Sequence, residues 1–200
     1  MNFLAHLYLS GERSKLLVGN FIGDFVKGRN AVRLFEPEII QGIELHRAID
    51  DFTDKHAVVT LSKNRLRPKY RHYSPVIVDV FYDHFLAKNW SSFHPEPLVD
   101  FTARAYETIQ KFQPILPEPV KRMLPYMISG NWLVHYAKTD GVHRALSGMA
   151  SRTPYDSKMD EATADLISGY DSFESEFAAF FPDLVNYCNS RIREMDQARA

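Results

Sequence analysis

The stretch SPVIVDVFYDHFLAKNW, residues 74–90, governs how the rest of the chain is read. From Val76 to Leu86 every residue is apolar except Asp79, Asp83 and His84, with Tyr82 half-polar. At 3.6 residues per turn, Val76, Ile77, Val78, Val80, Phe81, Phe85 and Leu86 surround a helix almost completely, and a helix apolar all round is a buried one. Asp79 and Asp83 lie one turn apart on the same face of it. Two ionised carboxylates cannot be buried cheaply without cations, hydrogen bonds or a metal to compensate. Buried ion pairs to Arg or Lys would serve; a divalent metal is the better reading.

Apolar residues recur at helical spacing through most of the remaining segments, and strand-like alternation is scarce. Helices are expected over about 2–9, over 14–27 with a stop at Gly28, and from Pro37, which suits a first helical turn, through residue 54. Further helices are expected near 74–89, 97–112, 118–138, 140–150, 159–180 and 182–196, with Pro114, Pro117, Pro119 and Pro154 marking breaks. There is no internal repeat and no low-complexity linker. These expectations describe an all-α, single-domain helical bundle over residues 1–200, a length that supports one well-buried core.

Composition narrows the classes of function. Hydrophobic content of 45% and charged content of 24% suit a soluble globular protein, and no apolar run approaches the length of a membrane-spanning helix. The opening MNFLAHLYLS has no basic leader and carries His6 inside its apolar run, so it reads as part of the fold rather than a signal peptide. Cys188 is the only cysteine, which excludes a disulfide framework and a thiolate metal site and makes the cytoplasm the default compartment.

The segment HRAIDDFTD, residues 46–54, carries the second group of polar residues. With His46 at zero on a helical wheel, Asp50 falls at about 40° and Asp54 at about 80°, while Leu45, Ala48, Ile49 and Phe52 occupy the arc of roughly 200–300°. His46, Asp50 and Asp54 therefore form a stripe beside the core face, and an imidazole and a carboxylate one turn apart can reach a common ion. Such a pair alone is more often a minor electrostatic contact. In GNFIGDFVKG, residues 19–28, Asp24 is surrounded by Phe21, Ile22, Phe25 and Val26, and Gly19 and Gly23 allow a close approach by another backbone or a substrate. His6 in NFLAHLYL is by itself an ordinary core histidine. Taken together, His6, Asp24, His46, Asp50, Asp79, Asp83 and His84 offer only oxygen and nitrogen ligands. They suit Mn2+, Mg2+, Fe or Zn2+, with the carboxylates favouring Mn2+ or Mg2+. Such a centre binds a phosphoryl oxygen and activates water for in-line attack.

The net charge of −1 conceals a segregation. Lys55, Lys63, Arg65, Arg67, Lys69 and Arg71 fall in a window without acids. Asp156, Asp160, Glu161, Asp165, Asp171, Glu174, Glu176 and Asp183 follow later against Lys158 alone. A basic surface that meets an acidic partner is one reading; an ordinary solvated face is the other.

The segments MNFLAHLYLS (1–10), GNFIGDFVKG (19–28), GIELHRAIDDFTD (42–54), VIVDVFYDHFLAKNW (76–90), NWLVHY (131–136) and GMASR (148–152) resemble, in that order, those of the acyl carrier protein phosphodiesterases, also called acyl carrier protein hydrolyases. The resemblance covers nearly the whole chain. It implies a divergent branch of the all-helical HD-domain phosphohydrolases, although here Asp83 precedes His84 and His46 and Asp50 stand a turn apart. It further implies Mn2+-assisted removal of the 4′-phosphopantetheine arm from holo acyl carrier protein, with Mg2+ or Fe as other candidate ions. Carried onto this chain, it makes Asp24, His46, Asp50 and Asp83 the metal ligands, and Asp24, His6 and His84 the catalytic groups. Arg47 and Lys27 would neutralise the phosphate. Lys63, Arg65, Arg67, Lys69 and Arg71 would grip the acidic carrier protein, so nucleic acid and membrane are not expected as partners. Two rivals share parts of this reading: an HD-like enzyme acting on a nucleotide or other small phosphodiester, and a non-catalytic helical module that binds an acidic protein.

Overall fold

The buried helix expected around residues 74–90 is the hub of the structure, a computed structural model that describes residues 1–28 and 34–197. Among these residues there is no strand. In chain order the helices are α1 (Phe3–Tyr8), α2 (Ser14–Ile22), α3 (Pro37–Lys55), α4 (Ala57–Tyr70), α5 (Ser74–Lys88), α6 (Leu98–Lys111), α7 (Glu118–Ser129), α8 (Trp132–His135), α9 (Thr139–Ala150), α10 (Ala162–Ser168) and α11 (Tyr170–Gln197). Helix α5 buries Ile77, Val78, Val80, Phe81, Tyr82, Asp83, His84, Phe85 and Leu86. It packs against α1, α4, α9 and α11, so all its faces are covered. A single hydrophobic core runs from Met1 to Met195, and α11 contributes Phe173, Phe177, Phe180 and Phe181 to it.

Several helix limits differ from the sequence-based expectation, each for a local reason. α2 ends at Ile22, and residues Gly23–Phe25 form a tighter 3₁₀ turn before Gly28, whose φ of 82° needs a glycine. The expected helix over 118–138 is two, because Asn131 adopts a left-handed conformation with φ 44° between α7 and α8. The helices expected over 159–180 and 182–196 do not part between 180 and 182. Pro182 lies inside α11 with its own side and Ala178 exposed, so the backbone bond it cannot make is lost toward water. The chain breaks instead at Gly169.

Helix α4 is the element that periodicity missed. Its buried stripe is Val59, Ser62, Lys63, Leu66 and Tyr70, helical in spacing but half polar in content. Ser62 is bonded to the Tyr82 hydroxyl at 2.8 Å and to Glu176, and Lys63 donates to the carbonyl and carboxylate of Asp54 at 3.0 and 2.9 Å. Satisfied polar groups replace the apolar ones a stripe normally shows.

The closest packing in the fold joins α2 to α3 through glycines. A Cβ on Gly19 would stand 2.1 Å from the Ile39 carbonyl oxygen, and one on Gly42 would stand 2.2 Å from that of Leu16. Both obstacles are backbone, so neither can move aside without parting the helices. Gly42→Ala is expected to destabilise the fold by about 1–3 kcal/mol or more, as overpacking does. Denaturant unfolding measures it, and a loss no greater than that of Gly148→Ala, where a Cβ would meet only the Arg152 side chain at 3.6 Å, would contradict the tight crossing.

Candidate metal centre

The close crossing brings α2 and α3 together with α1 around two imidazoles. His6 on α1 and His46 on α3 stack with ring centroids 4.0 Å apart and planes at 18°. Both are buried. Gly23 forms the wall behind His46, where a Cβ would lie 2.2 Å from the ring's Cγ. Asp50, one turn beyond His46, lies within 3.3 Å of His6 Nε2 and 3.1 Å of His46 Nε2 through its two oxygens. Asp24 in the 3₁₀ turn after α2 comes to 3.2 Å from His46 Nε2. His6, His46 and Asp50 each offer a ligand atom within 4.8 Å of the others, the geometry of a site that could hold a metal ion.

The outer nitrogens of both rings are already engaged. His6 Nδ1 lies 2.8 Å from Asn20 Oδ1, and His46 Nδ1 lies 2.8 Å from the Asn20 backbone oxygen. The inner nitrogens face oxygens only: His6 Nε2 has the Met1 carbonyl at 3.1 Å beside Asp50, and His46 Nε2 is buried with no hydrogen-bond partner in line, although two carboxylates flank it. A convergence of lone pairs and carboxylates around a buried unpartnered nitrogen fits a cation.

Charge follows the same geometry. Burial opposes protonation of His46, but Asp24 and Asp50 hold its pKa up at about 9. Burial and the neighbouring His46 charge drop His6 to about 4. His46 beside it lowers Asp24, and against the effect of burial His46 and His6 hold Asp50 far below the usual carboxylate range. With no ion present, a proton on His46 offsets one of the two carboxylate charges, and the Met1 α-ammonium stands 3.7 Å from Asp50; a divalent ion bound there would displace the imidazole proton. The Asp24 and Asp50 side chains are 71% and 39% exposed, so the centre opens to solvent on its carboxylate side, with the imidazoles beneath.

The other sequence candidates lie outside this group. Asp83 accepts the backbone N–H groups of Leu4 at 2.7 Å and Ala5 at 3.2 Å, capping α1 from the side of the hub helix. That contact explains a buried carboxylate on α5 and sets the position of His6, the next residue in the chain. Asp79 receives the α-amino nitrogen of Met1 at 2.9 Å. Both nitrogens of His84 are engaged, Nδ1 with the Tyr136 carbonyl and Nε2 with the Tyr170 hydroxyl, each at 2.7 Å. Asp54 turns away to Lys63. Arg47 donates to the Val26 carbonyl at 3.1 Å, which pins it beside the Asp24 turn, and Lys27 is exposed next to it.

In the basic window, Lys63 is buried against Asp54, Arg65 pairs with Glu176, and Lys69 pairs with Glu161 and Asp165; Arg67 and Arg71 are exposed. Asn20 was not among the sequence candidates. Its signal was there: it is the one polar side chain between Leu16 and Ile22, and it is fully buried.

The class is thereby defined: an all-helical protein with a solvent-open centre of two imidazoles and two carboxylates drawn from three consecutive segments. A family model described as acyl carrier protein phosphodiesterase matches residues 1–184. The acyl carrier protein phosphodiesterase of Escherichia coli O6:H1 is 36% identical over 192 residues, which is 96% of this chain and 99% of the relative. That of Enterobacter sp. strain 638 is 37% identical over 186 residues, 92% and 96% of the two chains. No solved structure matches the chain at a significant level. The chain belongs to the acyl carrier protein phosphodiesterase family.

A test separates a capping Asp83 from a ligand. Asp83→Ala leaves two buried amides without an acceptor and is expected to cost about 2–4 kcal/mol; Asp83→Asn keeps one acceptor and costs less. Burial, against the two amide bonds, raises the Asp83 pKa to about 7 in the fold. A raised carboxylate pKa means that the folded state holds a proton the unfolded chain releases, so this group makes stability fall as pH rises from about 4 to about 7. Asp83→Asn should flatten that fall in unfolding experiments across the range. A variant of normal stability that no longer binds metal would instead make Asp83 a ligand.

Proposed function

We propose that the protein is a metal-dependent phosphodiesterase that hydrolyses the phosphodiester between 4′-phosphopantetheine and a serine of holo acyl carrier protein, releasing apo acyl carrier protein and 4′-phosphopantetheine. The observation that carries this reading is the convergence of His6, His46 and Asp50 on one point, with an unpartnered His46 Nε2 and an exposed Asp24 at the rim, in a member of this family. The names of the relatives supply the substrate; the open carboxylate side supports a substrate as large as a protein. The helical scaffold, with His and Asp contributed by separate helices, is in keeping with a branch of the HD-domain phosphohydrolases. The buried lone Cys188 is in keeping with a cytoplasmic location. Among the described residues no helix is long and apolar enough to cross a membrane.

In this reading His6, His46 and Asp50 hold the ion and Asp24 completes the set. Two imidazoles among carboxylates favour Mn2+ or Fe2+ over Mg2+. A bound divalent ion polarises the phosphoryl oxygen and lowers the pKa of water. Asp24, ionised and exposed, orients the attacking water and takes up its proton. Lys27 and Arg47, beside the Asp24 turn, meet the non-bridging oxygens. As the water oxygen bonds phosphorus, the bond from phosphorus to the serine oxygen breaks; that oxygen takes a proton from solvent on the open side of the centre and leaves as a hydroxyl, and Asp24 returns its proton to solvent. His84, engaged at both nitrogens and buried, serves to hold Tyr136 and Tyr170 rather than to transfer this proton.

Intact mass spectrometry of holo acyl carrier protein incubated with the protein and Mn2+ tests the reaction. The expected result is loss of the phosphopantetheine mass, abolished by EDTA and reduced at least about 10²-fold by Asp50→Ala or Asp24→Ala. An unchanged carrier protein with Mn2+ demonstrably bound would move the activity to another phosphoester, and an unchanged carrier with no metal bound would leave a binding module.

The carrier-protein contact rests on a narrower set of cations than the sequence offered. Lys63, Arg65 and Lys69 are ion-paired within the chain, so Arg67 and Arg71 are the exposed members of the run with no carboxylate partner among the described residues. Arg67→Glu with Arg71→Glu is expected to raise the KM for holo acyl carrier protein about tenfold at low salt and to leave hydrolysis of a small aryl phosphodiester unchanged. Equal loss on both substrates would remove docking from this surface.

A further inference from the structure

We propose that Asn20 is the positioning residue of the centre: its side-chain and main-chain oxygens take the Nδ1 side of His6 and His46 and so aim both Nε2 atoms inward as the ligand atoms. This rests on the metal-centre reading for its consequence and on hydrogen-bond geometry for its mechanism. Asn20 is completely buried and every polar atom it carries toward α1 and α3 has a partner. Its Nδ2 donates to the His6 carbonyl at 2.8 Å and to Ser10 Oγ at 2.9 Å. Its Oδ1 faces His6 Nδ1, and its backbone oxygen faces His46 Nδ1, each at 2.8 Å.

The amide can stand only one way round. Turning it over would set Asn20 Oδ1 against the His6 carbonyl oxygen at 2.8 Å, two acceptors with no proton between them. Oδ1 therefore points at His6 Nδ1 at 2.8 Å, and it competes for the ring's one proton with the Met1 carbonyl, which stands farther off at 3.1 Å from Nε2. A backbone carbonyl likewise accepts from His46 Nδ1. In each neutral ring the proton on Nδ1 leaves Nε2 as a lone pair, which is the atom that faces Asp50. The backbone contact depends on where α2 ends. The Asn20 carbonyl takes the Gly23 N–H of the closing turn and has a second lone pair for His46. One residue thus orients a ligand on each neighbouring helix, one through its side chain and the other through its main chain. Partners behind a metal-bound imidazole commonly contribute about 10–100-fold in metal affinity.

The test reads the imidazoles directly. Nitrogen-15 NMR of the metal-free protein at pH 8 should show His6 with its proton on Nδ1. In Asn20→Leu, which is similar in size and offers no acceptor, His6 should shift toward the Nε2–H form, where the Met1 carbonyl accepts. A wild-type His6 protonated on Nε2, or a folded Asn20→Leu with His6 unchanged, overturns the proposal. Should Asn20→Leu not fold, Asn20→Ser, whose hydroxyl is too short to reach the ring, is read by the same criterion. These spectra need neither metal nor substrate, so they judge Asn20 even if the metal reading fails.

Mn2+ titration calorimetry then reads the consequence. Asn20→Leu or Asn20→Ser should bind about 10–100-fold more weakly than wild type. Asn20→Asp, which keeps an acceptor on Nδ1, should recover affinity to within about tenfold of wild type. A residue that merely supports the fold would lower the melting temperature of all three variants and leave the Mn2+ affinity of the folded proteins equal, which would overturn the proposal. Wild-type protein that binds no Mn2+ would instead overturn the metal-centre reading.

Discussion

An imidazole on one helix can bond to the backbone carbonyl of another only if nothing separates the two helices. Gly19 and Gly42 remove the side chains from that interval, and Gly23 removes the one that would strike the His46 ring. The rest of the centre depends on this contact. It places Asn20 behind both histidine rings, brings the Asp24 turn to His46, and sets Asp50 in front of both rings on the Nε2 side. The third member, α1, is a helix of six residues that would not persist alone. Asp83 caps it from the hub helix, so the buried carboxylate that drew notice in the sequence acts on the centre at one remove, by positioning His6.

Much of this was legible before any coordinates. A helix apolar on every side had to be central, and α5 is covered on all its faces. The spacing of His46 and Asp50 put them together on one edge of α3, where they meet a common point with His6. What a linear pattern could not express was partnership. A buried aspartate needs compensation, but whether by a metal or by two amide protons 79 and 78 residues away is settled only by the packing of α1 on α5. Asp83 and His84 look as suited to ligation as His46 and Asp50, yet both have neutral partners. Asn20 escaped attention for the opposite reason: an uncharged amide inside an apolar helix carries no sign of the two rings it holds.

The charge segregation shows the same limit. Window counting separated a basic segment from an acidic one and could not tell an external partner from an internal one. The basic segment is α4, and it lies along α10 and α11, where Arg65 meets Glu176 and Lys69 meets Glu161 and Asp165. These pairs are mostly exposed and each adds little to stability. Their effect is to reduce the field that α4 presents to an approaching acidic protein, and to leave Arg67 and Arg71 as the outward cations. The half-polar stripe of α4, with Ser62 and Lys63 satisfied from neighbouring elements, is also why hydrophobic periodicity passed over the helix.

We propose that the two imidazoles and Asp50 together hold one divalent ion. A crystal structure with Mn2+, with the ion located by its anomalous scattering, tests it most directly. The account predicts a single strong peak within about 2.0–2.3 Å of His6 Nε2 and His46 Nε2 and of an Asp50 oxygen, with Asn20 behind both rings. A protein that takes up no Mn2+ there, and keeps a proton on His46 Nε2 between Asp24 and Asp50, would contradict it.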